Sequence, residues 1–184
     1  PPELEMVQQM VARDINTPWT SSCGRLFDAV SALLGMRLET SYEAQAAIEL
    51  EMAAGDVQRD TVQPYPFSVE KQAQGHVVRL EALLAAIVRA TMAGVSDGEI
   101  SASFHITLAE MTLQMCQMVR EETGLGAVAL SGGCFQNRQL LRLTTDALQA
   151  QGFRVLLHRQ VPCNDGGLSL GQAVIGHFLN GGNA

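Results

Sequence analysis

The chain has 184 residues, enough for one domain or one lobe of a two-lobed fold, and its 47% hydrophobic and 17% charged residues exclude a disordered segment. Twelve basic against nineteen acidic residues leave a formal charge of −7, the wrong sign for a protein that neutralises many phosphates, so no nucleic acid partner is expected. The longest apolar stretch, 80–95, is broken by Glu81 and Arg89, so no membrane span is expected either. The start Pro1-Pro2-Glu3 has neither a basic nor an apolar leader, and without Met it leads to the expectation of a piece of a longer protein.

Apolar periodicity predicts an opening helix over 3–13, with Leu4, Val7, Met10 and Val11 on one face, ended by Asn16-Thr17-Pro18. A second helix is expected to start at Ser21-Ser22, whose hydroxyls can cap it, to carry Leu26, Phe27, Val30, Leu33 and Leu34, and to stop at Gly35. A third runs over 42–54 and closes at Gly55-Asp56. Gly55, Pro64, Pro66 and Gly75 among polar residues mark 55–75 as an exposed loop or short-strand excursion. A fourth helix follows over 79–93. The capping-box pattern Ser96-Asp97-Gly98-Glu99 opens a fifth that extends to Glu122, with Phe104, Leu108, Met111, Met115, Met118 and Val119 as its core stripe.

The last third changes character. Ala127-Val128-Ala129-Leu130, between Gly126 and Gly132-Gly133, reads as a buried strand; a helix over 137–150, a strand over 153–157, a Pro-bearing loop over 161–167 and a helix over 168–179 stopped by Gly181-Gly182 follow. Strand, helix, strand, helix implies a parallel crossover, so a helix-rich α/β fold with a small, mostly parallel sheet is expected.

Chemistry concentrates in three stretches. Ser131-Gly132-Gly133-Cys134 follows a strand and precedes a helix; two glycines let a ligand lie against the backbone, and Asn137 can cap the helix or hydrogen-bond a ligand, although by themselves the glycines favour an ordinary tight turn. Asn164-Asp165-Gly166-Gly167 is the second strand-to-helix loop and should face the same crevice; Asp165 either ligates a metal or caps the last helix, and the local pattern favours the cap. In the third, Ser21-Ser22-Cys23-Gly24-Arg25-Leu26-Phe27-Asp28, Asp28 is either a ribose acceptor or a solvated aspartate near the helix start. Cys23, Cys116, Cys134 and Cys163 form no CxxC pair and read as free thiols of a reducing cytoplasm. The four histidines form no zinc motif, and His105, near the core stripe, reads as structural.

Together, Ser21–Val30, Tyr42-Glu43-Ala44-Gln45, Phe104-His105, Leu130-Ser131-Gly132-Gly133-Cys134-Phe135-Gln136-Asn137 and Val161-Pro162-Cys163-Asn164-Asp165-Gly166-Gly167 resemble the C-terminal, Kae1-like part of the HypF family of [NiFe]-hydrogenase maturation carbamoyltransferases. The resemblance implies a single C-terminal lobe, 1–184, of an actin/Hsp70-like (ASKHA) nucleotide-binding domain, akin to the transferase that makes threonylcarbamoyladenosine in tRNA. It implies ATP and carbamoyl phosphate as substrates, carbamoyl adenylate as the intermediate, and the C-terminal cysteine of a HypE-type protein as acceptor. Gly132, Gly133 and Asn137 would receive the nucleotide, Asp28 would contact its ribose, Glu43 would line the pocket, and Asp165 would be one ligand of a divalent metal. Ala44 stands where the family usually has glycine and Cys163 where proline is common. The remaining metal ligands, phosphate loops and N-terminal domains are not in this sequence, so the chain alone is expected to be inactive. The rival readings are an ATP-dependent kinase lobe of the same superfold and a partner-docking module without catalysis.

Overall fold

The computed structural model describes residues 2–56, 58, 60–73 and 75–181. Gly182, half of the expected stop of the last helix, lies outside the described residues, as do Pro1, Val57, Arg59 and Gln74.

Seven helices and four strands are described: α1 (Pro2–Ala12), α2 (Cys23–Leu33), α3 (Gln45–Ala54), β1 (Ser68–Gln72), β2 (Gly75–Arg79), α4 (Glu81–Met92), α5 (Asp97–Thr123), β3 (Ala127–Leu130), α6 (Arg138–Ala150), β4 (Arg154–Leu157) and α7 (Leu168–Leu179). Short 3-10 turns at Gly133–Gln136 and Asp165–Gly167 lead into α6 and α7.

The fold is organised around α5. Every residue from Ile100 to Ala109 is buried, so this helix is enclosed on all sides over its first half rather than along one stripe. Ser96 caps it by accepting from the Glu99 amide at 3.3 Å, as predicted, while the Glu99 carboxylate accepts from the Ser96 hydroxyl at 2.7 Å in place of the Ser96 amide that a full capping box uses. Phe104, Leu108 and Met111 join Phe27 and Val30 of α2, Leu50 of α3, Leu83 and Ile87 of α4 and Leu140 of α6 in the main core. The expected stripe fades beyond Leu113, and Val119 is exposed. The buried hydroxyls of α5 are satisfied: Ser101 donates to the Leu50 carbonyl at 2.6 Å, and Thr107 donates to the Ser103 carbonyl at 2.6 Å while accepting from the Tyr65 amide at 2.8 Å.

β3 and β4 pair in parallel, Ala127 opposite Arg154 through Leu130 opposite Leu157, with α6 as the connection between them. Among the described residues this sheet has two strands; β1 and β2 form a separate antiparallel hairpin. The hairpin is the short-strand excursion expected between α3 and α4, but its second strand takes Arg79, so α4 begins two residues later than the periodicity predicts.

α3 begins at Gln45 rather than at 42. Ala44 sits in the left-handed region, φ 60°, ψ 14°, and breaks the helical run, while the Gln45 side chain accepts from the Ser41 amide at 2.8 Å and from its hydroxyl at 3.1 Å. The same side chain donates to Glu49, whose carboxylate is held by both arms of the Arg37 guanidinium at 2.6 and 2.9 Å.

α1 and α7 differ from the other helices in having no buried residue. Leu4, Val7 and Val11 of α1, and Leu168, Leu170, Val174, Ile175 and Phe178 of α7, are exposed. No described helix is long and apolar enough to cross a membrane.

Candidate functional site

β3 and β4 end on the same side of their parallel pair, so the loops that follow them are neighbours. The amide of Gly132, just past β3, donates to the carbonyl of Cys163, past β4, at 2.7 Å. Ser131 and His158 pair across the same strand ends at 2.9 Å. The two glycine loops thus share one site, as expected for loops at the carboxyl ends of parallel strands.

Gly132 adopts φ 106°, ψ 157°, a conformation essentially restricted to glycine, because it must turn β3 into the 3-10 segment. Gly133 has no positive φ, and a Cβ there would meet nothing within 4 Å. Its surroundings are open, as close backbone approach by a ligand requires. Among the described residues no hydrogen bond uses the amides of Gly133 and Cys134, whereas Phe135 donates to the Gly132 carbonyl and Asn137 to the Cys134 carbonyl. Two adjacent free N–H groups at an open turn form a small anion cradle.

The amide groups at the N-terminus of α6 are not free. Glu51 of α3 accepts from Arg138 N at 2.7 Å and from Gln139 N at 3.2 Å, and the Asn137 Oδ1 accepts from Leu140 N at 2.8 Å. The helix end is therefore capped internally, and the cradle lies one step earlier, in the 3-10 turn. Asn137 is buried, and its Nδ2 donates to His105 Nε2 at 2.9 Å. His105 Nδ1 donates in turn to the Ser101 carbonyl at 2.8 Å, which fixes the neutral tautomer with the proton on Nδ1. Burial holds the imidazole below its ordinary value of 6.5, against the opposing pull of the Ser101 carbonyl and of Glu51. Phe27 and Phe104 pack edge-on to it, with ring centroids 5.4 and 6.0 Å away. His105 is thus structural, as expected, and it is also the hub that fixes the angle at which the glycine turn enters α6.

α2 brings up the third stretch. Ser22 is its N-cap, accepting from Arg25 N at 3.4 Å, so the predicted cap is in place. Asp28 is half-buried and pairs with Arg25 at 3.2 Å. It lies one turn after Gly24, and the Cys134 sulfur is 3.9 Å from where a Cβ on Gly24 would be, so Asp28 is on the face of α2 turned toward the glycine turn. Cys134 in that turn and Cys23 at the start of α2 perturb each other: the Cys134 thiol is lowered to about 7 and that of Cys23 is raised. Asp28, Gly132, Gly133 and Asn137 are accordingly brought together. Glu43 is not joined to them: it is exposed, and no hydrogen bond or ion pair among the described residues links it to the site.

In the second glycine loop the cap falls to a neighbour of the residue expected to supply it. Asn164 accepts from Gly166 N at 3.1 Å, and α7 has no side-chain cap, so the capping reading of Asp165 is corrected. Asn164 holds the cap because it precedes the 3-10 turn Asp165–Gly167, whose close packing leaves no room for a Cβ at Gly167, 2.7 Å from the Pro162 carbonyl. The Asp165 carboxylate is exposed and unspent. Among the described residues no three His, Cys, Asp or Glu side chains converge to hold a metal, and one carboxylate falls well short of the six or more oxygens a hard cation takes.

Glu51 carried no local signal, because it acts on amides 87 and 88 residues away. His105 carried a weak one, an imidazole within a fully apolar stripe.

Residues 1–172 match the family model described as the second subdomain of the carbamoyltransferase Kae1-like domain. The carbamoyltransferase HypF of Rhodobacter capsulatus is 36% identical over 177 residues, covering 93% of this chain and 21% of that protein. A HypF homolog from Cupriavidus necator is 37% identical over 169 residues, covering 91% of this chain and 43% of the relative. The crystal structure of full-length HypF in its phosphate- and nucleotide-bound form superposes with a TM-score of 0.90 at 42% identity, over all of this chain and 24% of that one. The chain therefore spans less than half the length of these relatives.

Proposed function

We infer the function from a firm premise: the chain belongs to the HypF carbamoyltransferase family. On this reading it is one lobe of a Kae1-like domain, working with further domains of the same protein, and its two glycine loops take the nucleotide part of carbamoyl adenylate, itself formed from ATP and carbamoyl phosphate. The observation that carries the reading is the Gly132 to Cys163 hydrogen bond, which joins the two loops and leaves the Gly133 and Cys134 amides free beside Asp28. The phosphate- and nucleotide-bound state of the full-length relative supports it.

The free amides meet the adenylate phosphate, and Asp28 accepts from ribose hydroxyls through the carboxylate oxygen not engaged by Arg25. Asn137 acts by holding the turn against His105, with one amide hydrogen to spare for a ligand. Glu43 lines the pocket only if its loop closes over the bound nucleotide. Asp165 offers one ligand to a divalent metal whose other ligands come from outside this chain. With the nucleotide so held, an acceptor thiolate, the C-terminal cysteine of a HypE-type protein, attacks the carbamoyl carbon. A carbon–sulfur bond forms, the carbon–oxygen bond to the phosphate breaks, and AMP leaves with the electron pair. By itself the chain binds nucleotide weakly and transfers nothing. Four free cysteines fit a reducing cytoplasm.

The test is transfer by the intact protein, supplied with ATP, carbamoyl phosphate and an acceptor ending in cysteine, with the acceptor mass and the nucleotide product read together. A carbamoylated acceptor with AMP is the expected result. ADP as the product, with an unmodified acceptor, would overturn this reading in favour of a phosphotransferase.

A further inference from the structure

Two of the four cysteines, far apart in sequence, meet at the site. Cys23 is the first residue of α2 and is exposed; Cys134 lies in the 3-10 turn after Gly133 and is half-buried. The Cys134 sulfur stands 3.9 Å from where a Cβ on Gly24 would be, against the first turn of α2, which sets it beside the neighbouring Cys23, and the two thiols perturb each other's ionisation. Neither thiol is needed by the chemistry proposed above, and the contact spans the gap between the turn with the free amides and the helix that carries Asp28.

We propose that Cys23 and Cys134 form a reversible intrachain disulfide that closes the nucleotide loop against α2 and lowers nucleotide affinity. The consequence for nucleotide rests on the reading of the loop given above; the bond itself does not. In the reduced pair the Cys134 thiol is lowered to about 7 and the Cys23 thiol is raised, so Cys134 carries the larger thiolate fraction at neutral pH and is the attacking nucleophile. Its sulfur attacks a small disulfide such as oxidised glutathione, forming a mixed disulfide and expelling one glutathione thiolate. With the Cys134 thiolate consumed, the neighbouring negative charge that opposed ionisation of Cys23 is gone. Cys23 then loses its proton to solvent and attacks the Cys134 sulfur, and the second glutathione thiolate leaves. Two electrons have passed to the glutathione disulfide, and two thiols have become one bond. A sulfur–sulfur bond of about 2.05 Å is much shorter than a contact between two thiols, so the turn is drawn toward α2 and the space beside Asp28 narrows.

The test treats the intact reduced protein with oxidised glutathione, maps its cysteine peptides by mass, and titrates ATP with Mg²⁺ into the reduced and oxidised forms. The expected result is a Cys23–Cys134 peptide pair lacking two hydrogens, with Cys116 and Cys163 still free, and at least a tenfold loss of ATP affinity that dithiothreitol restores. A Cys23→Ser variant should bind ATP like the reduced protein under the same oxidant. No bridge, or a bridge from Cys134 to Cys163, would overturn the proposal, as would a bridged protein with undiminished ATP affinity. A reduced protein that binds no ATP while the bridge still forms would count against the nucleotide reading and not against the thiol pair.

Discussion

Replacing Asn137 by alanine removes two things at once. The Oδ1 cap on Leu140 N is lost, which typically costs about 1 kcal/mol, and His105 Nε2 is left as a buried acceptor without its donor, which costs about 1–3 kcal/mol more. The sum, about 2–4 kcal/mol, is large for one polar residue because the Nδ1 proton of His105 is already committed to the Ser101 carbonyl, so the ring cannot simply switch tautomer. Urea unfolding followed by helical circular dichroism measures the loss as a shifted midpoint at constant slope. Asn137→Asp separates the two parts: it keeps the cap but sets a carboxylate against the Nε2 lone pair, so at pH 8 it should recover the cap contribution alone. A loss below about 0.5 kcal/mol in Asn137→Ala would refute the idea that this network holds the glycine turn, since that is the scale of ordinary surface substitutions.

Other outcomes follow from the same geometry. Ala44→Gly should stabilise the chain by about 0.5–1 kcal/mol, because glycine relieves a left-handed cost of about 1–2 kcal/mol and returns part of it as unfolded-chain entropy; thermal unfolding of the two forms checks this. His105 is held neutral in the fold, with its pKa below 6.5, so the unfolded chain binds a proton that the folded chain refuses. Its contribution to stability is therefore complete above pH 6.5 and is lost as pH falls from there toward the lowered folded value; urea midpoints in that window should drop less in His105→Gln than in the wild type. Gly132→Ala should destabilise by about 1–3 kcal/mol from backbone strain alone, whereas Gly133→Val should leave the unfolding midpoint nearly unchanged.

Much of the fold was legible because glycines and caps bracket its elements. β3 and α7 occupy the expected residues, and α2, α5 and α6 start from the hydroxyl or amide side chains expected to cap them. The start of α3 was hidden because nothing in an alanine announces a positive φ; only the family's usual glycine at Ala44 hinted at it. The exposed faces of α1 and α7 were hidden for another reason, since periodicity marks which side of a helix is apolar and not whether anything covers it. At the site, residues that act through the backbone of their own turn were readable, as with Gly132. Residues acting across the fold were not: Glu51 and His105 reach α6 and its N-cap from α3 and α5. In the second glycine loop the local pattern marked Asp165, whereas its neighbour Asn164 supplies the cap.

If the glycine turn after β3 receives a nucleotide, calorimetric titration of ATP with Mg²⁺ into the intact wild-type protein and its Gly133→Val variant separates the two, because a Cβ at Gly133 meets nothing within 4 Å of the protein itself. Saturable binding in the wild type that is lost in the variant is the expected result; equal affinity in both would place the nucleotide elsewhere.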